Sequence, residues 1–188
     1  MIQQRYVRAT AFALATTLFF ACAHQRNDDD TMKELTPRTL GSIDKLTTQG
    51  GYWFASQPSQ EDFALVEDAG IKTVINLRLD RELPWEERRV VEGLGMNYVH
   101  EPIAGVADLT DERLVQLRAL LRDAEKPVMV HCGSSNRVGA IWYVSRVLDQ
   151  GVSPDVALDE ARRAGLRSEA LVQRVQKYVA DERSYRGF

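Results

Sequence analysis

"VMVHCGSSNRVGA", residues 128–140, is the stretch on which the fold turns. A short apolar run ends at His131 and Cys132. Four small or polar residues follow, then Arg137, then a segment with helical spacing. Val138, Ile141, Val144 and Leu148 recur at three- and four-residue intervals, the stripe of a helix over 137–151. A buried strand that passes through a small-residue loop straight into a helix is half of a β–α unit. The question is whether the rest of the chain repeats that unit.

It does, on both sides. Upstream, "GYWFAS" (51–56) is aromatic and β-prone. Ser59 caps a helix that carries Asp62 in its first turn and ends at Gly70. "IKTVINLR" (71–78) is a strand of β-branched residues. "LPWEERRVVEGLG" (83–95) opens with Pro84 and acidic residues, as a helix start does. "MNYVHEPI" (96–103) is a strand, and Thr110 caps a helix over 111–124 with Leu114, Leu117, Leu120 and Leu121 on one face. Downstream, Ser153-Pro154-Asp155 opens a helix closed near Gly165, and a last one runs from Ser168 to about Asp181. Strand and helix alternate, which predicts an α/β fold: a central, mainly parallel sheet with helices on both faces. Trp53, Trp85 and Trp142 read as core or rim residues.

The loop of residues 132–137 is where chemistry belongs. Anions bind between the C-terminal end of a parallel strand and the N-terminus of the next helix, where N–H groups and the helix dipole point at the ligand. Gly133, Ser134, Ser135 and Asn136 are small enough for their N–H groups to converge. Arg137 adds a planar guanidinium that grips two oxygens at once. The same field favours the thiolate of Cys132 and makes it a nucleophile. The bland alternative is a buried strand-end cysteine, a Gly/Ser turn and a solvated arginine.

The N-terminus reads as a leader. Arg5 and Arg8 precede an uncharged, mostly apolar run over 9–21, too short for a membrane span of about 20 residues. Ala21-Cys22-Ala23 fits a small-x-small cleavage site. Phe20-Ala21-Cys22 also resembles a lipobox, in which Cys22 is lipidated, although Phe19 stands where Leu is usual. Residues 1–23 are therefore read as a signal peptide of an exported bacterial protein, periplasmic or anchored to the outer membrane through Cys22. Residues 24–47, with the run Asp28-Asp29-Asp30, read as a polar tether. The net charge is −3, and −5 without Arg5 and Arg8, which does not favour nucleic acid but permits a small anionic substrate. The two cysteines, Cys22 and Cys132, form neither a disulfide framework nor a paired-cysteine metal site.

Over roughly residues 48–182, "FASQPSQEDF", "GIKTVINLR" and "HCGSSNRVGA" together resemble the cysteine-dependent tyrosine and dual-specificity phosphatases. Residues 183–188 remain as a tail. The resemblance implies a monomer without metal or cofactor, acting on a phosphorylated small molecule or phosphoprotein. Cys132 would attack phosphorus, Arg137 and the N–H groups of residues 133–137 would hold the phosphoryl oxygens, and His131 would help stabilise the thiolate. His131 as a hydrogen-bonded core residue is compatible with that role. The family's general acid is an aspartate on a loop upstream of the nucleophile. "AGVADLT" (104–110) is that loop and Asp108 its acid, with Asp80, Glu101 and Asp111 as substitutes. Alternatively, Asp108 merely precedes the Thr110 cap.

Two departures bear on the chemistry. The family's common signature has one more residue between cysteine and arginine. It also usually places Ser or Thr directly after the arginine, where this chain has Val138. The short loop resembles that of rhodanese-type sulfurtransferases as well, where the cysteine carries a persulfide. Sulfur transfer is therefore a second reading. A non-catalytic anion sensor is a third, weakened because a pure binder needs no thiolate.

Overall fold

A computed structural model describes residues 34–187. The leader-like residues 1–23 and residues 24–33 of the expected tether lie outside the described residues. Six strands are described: β1 (Thr36–Pro37), β2 (Leu46–Gln49), β3 (Tyr52–Ala55), β4 (Thr73–Asn76), β5 (Asn97–His100) and β6 (Val128–His131). The helices are α1 (Asp62–Asp68), α2 (Glu87–Gly93), α3 (Asp111–Asp123), α4 (Asn136–Leu148), α5 (Pro154–Ala164) and α6 (Glu169–Arg186). The sheet order is β1-β2-β3-β6-β4-β5. β3, β6, β4 and β5 are mutually parallel, and β2 and β1 extend the β3 edge antiparallel.

The parallel part follows from the β–α alternation. One sheet face, with Phe54, Ile75, Val128 and Val130, packs under α3, α4, α5 and α6. The other, with Ala55, Val74 and Met129, packs under α1 and α2. Local caps hold the helix starts: Thr110 Oγ1 accepts from Arg113 N–H, and Ser168 Oγ from Leu171 N–H. Ser59 and Asp62 bond reciprocally, N–H to carboxylate at 2.8 Å and N–H to hydroxyl at 3.2 Å.

Three expectations need correction. Residues 34–47 are no tether: Leu35, Ile43 and Leu46 are buried, and β1 and β2 belong to the sheet. β2 reads as polar because its buried Gln49 serves Glu160 and Trp142 by hydrogen bonds at 3.1 Å each, so burial there leaves no apolar signature. The helix expected over 83–95 starts only at Glu87, because Glu82 closes a 3₁₀ turn (Asp80–Glu82) by accepting from Leu79 N–H. α6 runs on to Arg186 and takes up most of the expected tail.

α4 is more deeply placed than a one-sided stripe implies. Every residue from Val138 to Val147 is buried, because the sheet lies on one side and α3, α5 and α6 on the others. Trp142 packs on Tyr52 and Phe54 with ring centroids 4.9 and 4.6 Å away. Arg146 is buried against Glu160, Nη2 to Oε1 at 2.8 Å. At Gly139 the α4 and α5 backbones nearly touch, and an added Cβ would lie 2.7 Å from both Ala161 O and Leu166 N. Both obstacles are backbone. Gly139→Ala should therefore destabilise the domain by about 1–3 kcal/mol, read as a lower urea midpoint with an unchanged slope.

Candidate active site

β6 lies between β3 and β4, so its C-terminal end opens at the centre of the sheet. Cys132 N–H reaches Ala55 O at 3.4 Å, and Leu77 N–H reaches His131 O at 3.0 Å. The chain then turns within four residues. Ser135 takes a left-handed conformation, φ 61° and ψ 3°, which costs a non-glycine residue about 1–2 kcal/mol. The surroundings enforce it. Ser135 is fully buried and its hydroxyl donates to Ala164 O at 2.7 Å. Gly165, itself left-handed at φ 130°, lies so close that an added Cβ would come within 2.7 Å of Ser135 Cβ.

A left-handed residue followed by helical ones makes successive N–H groups point the same way. The ladder of α4 begins with Gly139 N–H to Ser135 O at 3.0 Å, which leaves the N–H groups of Asn136, Arg137 and Val138 outside it, at the positive helix end. Gly133, Ser134, Ser135 and Asn136 thus offer backbone rather than side chains. Asn136 Oδ1 is committed to Arg167 N–H (2.8 Å) and Ser168 N–H (3.1 Å), which clamps the loop to the α5–α6 corner. Ser134 bridges to Ser56, and its carbonyl accepts from Arg167 Nη1 at 3.2 Å.

Arg137 is held from behind. Its Nη1 donates to Leu77 O at 3.0 Å, Ile103 O at 2.8 Å and Glu82 Oε2 at 2.9 Å, and its Nη2 to Glu82 Oε1 at 2.9 Å. The guanidinium also hydrogen-bonds to the Cys132 side chain, and Nη2 lies 3.7 Å from where a Gly133 Cβ would stand. Burial works to lower the Arg137 pKa. The Glu82 hydrogen bonds and the charges of Cys132 and Glu82 outweigh it and raise it. The hydrogen bond from Arg137, with help from Leu79 N–H and the Arg78 charge, pulls Glu82 down to about 2 against burial.

His131 does not reach the cradle surface. It is fully buried, and Nε2 lies 2.8 Å from Glu87 Oε1 on the α1–α2 face. The reason is the alternation of a strand: Met129 and His131 face one core, Val130 and Cys132 the other. An expectation that His131 touches substrate is therefore corrected: it is a core residue behind the nucleophile. Among the acids, Glu101 pairs with Arg113 and Asp111 with Arg174, at 2.7 and 2.6 Å. Asp80 has a side chain 93% exposed and 3.6 Å from His100. Asp108 is exposed, carries no ion pair among the described residues, and accepts from Ala104 N–H at 2.6 Å. Its loop is pinned at one end by the Arg137–Ile103 bond and at the other by Arg174 Nε to Leu109 O at 2.6 Å.

Residues 46–149 match the family model described as beta-lactamase hydrolase-like protein, phosphatase-like domain. The chain belongs to this family. A beta-lactamase hydrolase-like protein from Agrobacterium fabrum is 29% identical over 100 residues, covering 50% of this chain and 23% of that protein. The dual specificity protein phosphatase TpbA of Pseudomonas aeruginosa is 28% identical over 123 residues, covering 65% of this chain and 55% of TpbA. The chain thus spans about a quarter of the hydrolase-like relatives. The crystal structure of TpbA superposes with a TM-score of 0.62 at 22% identity, covering 78% of this chain and 89% of that one. A TpbA cysteine-to-serine variant in complex with phosphotyrosine superposes with a TM-score of 0.61 at 21% identity, covering 77% and 88%. These likenesses place the chain in the cysteine-dependent phosphatase superfamily and give sulfur transfer no support.

The phosphatase-like domain brings Cys132, the loop residues and Arg137 together. Glu82 was missed by sequence reading, which singled out Asp80 instead. The available signal was the Asp80-Arg81-Glu82 triplet directly after a central strand, where two acids compete for one inward position. A carboxylate lowered from 4.5 to about 2 stabilises the fold above its unfolded value, and that share fades as pH falls toward the folded value. Wild type should therefore exceed Glu82→Gln in stability at neutral pH, and the gap should close between pH 4.5 and about 2 in urea melts.

Proposed function

We propose that the domain hydrolyses phosphate monoesters, of a phosphoprotein or a phosphorylated small molecule, through a phosphocysteine. The observation that carries this reading is that Cys132 lies at the strand end just before the α4 N-terminal N–H groups and beside an Arg137 fork that interacts with it and is fixed from behind by Glu82. The Cys132 thiolate forms a bond to phosphorus as the ester P–O bond breaks, and Asp108 gives its proton to the departing oxygen. Water then attacks the phosphocysteine, Asp108 takes the water's proton, and the S–P bond breaks to return the thiolate. With Val138 in place of a hydroxyl, no side-chain hydroxyl directly after Arg137 helps that thiolate leave, and the loop N–H groups and Arg137 stabilise it. In the same reading the protein is a monomer, exported by residues 1–23 to the periplasm or tethered to the outer membrane through Cys22.

Cys132→Ser should reduce aryl phosphate turnover to background while phosphate or vanadate still binds, and a chelator should leave wild type active. Inhibition by the chelator together with an active Cys132→Ser variant would overturn the reading.

Asp108 is tested by the leaving group. An alkoxide needs a proton to depart, and a nitrophenolate does not. Asp108→Asn should slow alkyl phosphates by roughly 10²–10⁴-fold and nitrophenyl phosphate far less, with loss of the high-pH limb of the rate profile. Equal losses on both substrates would make Asp108 structural.

A further inference from the structure

On the face of β6 opposite Cys132, four polar side chains close around one carboxylate. Glu87, in the first turn of α2, has a side chain only 1% exposed, against an equally buried His131. Its Oε1 accepts from His131 Nε2 at 2.8 Å and from Asn76 Nδ2 at 2.7 Å, and its Oε2 from Gln57 Nε2 at 2.7 Å. The Tyr98 hydroxyl, which accepts from Asn76 Nδ2 at 2.9 Å, is a further donor to Glu87. This is the donor set an ionised buried carboxylate needs. Burial works to raise the Glu87 pKa, and the hydrogen bonds and charge of its partners outweigh it and lower it. An ionised carboxylate only accepts, so His131 Nε2 carries the shared hydrogen. The other ring nitrogen, Nδ1, is buried with no partner among the described residues.

The core around this cluster is apolar, built from Ala55, Phe63, Val91 and Met129. A buried polar pair there contributes little stability that well-packed apolar residues would not. Its place, one residue before the nucleophile, suggests another role.

We propose that Glu87 is a positioning residue for Cys132: it acts through His131, fixing the ring with Nε2–H toward α2 and supporting positive charge on it beneath the loop, which favours the thiolate. The proposal deepens the reading of Cys132 as the nucleophile and rests on it. The other charges around the pair are accounted for. Arg78, in the segment after β4, donates to Gln57 Oε1 at 2.6 Å. Glu82 and Arg137 of α4 oppose each other in their ion pair. From β5 comes Tyr98, with Arg88 of α2 above its ring at 4.9 Å. α1 presents Phe63, which carries no charge.

The test uses the full chain with Glu87→Gln, which keeps the shape and removes the charge. Iodoacetamide alkylation of Cys132 is followed against pH by mass spectrometry of its own peptide, so that Cys22 does not contribute. The midpoint should rise by on the order of one pH unit, with alkylation about tenfold slower below it and of wild-type rate above it. The acid limb of kcat/KM should move with it. His131→Gln, which keeps an amide N–H for Glu87 but no charge, should give the same shift, and the double variant should shift no further. An unmoved midpoint in whichever variants fold, or fully additive shifts, would overturn the proposal and leave Glu87 structural. Alkylation does not depend on phosphate turnover. Hydrolysis that survives in Cys132→Ser would therefore sink the enzymatic reading without deciding the role of Glu87.

Discussion

One guanidinium gathers the working end of this molecule. Arg137 leaves the first turn of α4 and takes the carbonyls that end the β4 and β5 runs, Leu77 and Ile103, together with the carboxylate of Glu82. Three segments that are distant in sequence are thus referred to one plane. The bidentate geometry matters, because a lysine would hold the charge and not the plane. The parallel strands deliver their ends to the same edge of the sheet, and Arg137 turns that coincidence of topology into a fixed arrangement.

The helix that carries Arg137 is itself held along its length. At its start Ser135 and Asn136 bond to the α5–α6 corner. Toward its end Arg146 is buried against Glu160 of α5, and Asp149 just beyond it meets Arg118 of α3, which also reaches the Tyr178 hydroxyl of α6 at 3.3 Å. Such pairs add little net stability over apolar packing. Their geometry is directional, and it fixes the rotation of α4 and so the direction of its free N–H groups.

Much of this was legible in the sequence, for reasons that differ by element. β4, β6 and α3 carry continuous or periodic apolar patterns, and Thr110 and Ser168 announce their helices by cap chemistry alone. Cys132 and Arg137 are close in the chain, so one loop suffices to relate them. What stayed hidden depends on pairing across distance. Glu82 reaches Arg137 over 55 positions, and Glu87 reaches His131 over 44. β2 stayed hidden because Gln49 is buried with partners that sit on α4 and α5. The facing of His131 was available from strand alternation, since it lies out of phase with Val130 and Cys132. Polar residues buried in satisfied pairs look like surface until the partner is known.

The hydrogen bond from Ala104 N–H to Asp108 gives the 104–110 loop a chemical memory. A carboxylate holds that backbone donor more tightly than a carboxylic acid does. In the proposed reaction the loop is therefore loosest while Asp108 still owns its proton and waits for a leaving group. Once the proton is handed over, the restored charge would strengthen that hydrogen bond. The same carboxylate would thus serve both as the acid of the first step and as the anchor of its own loop.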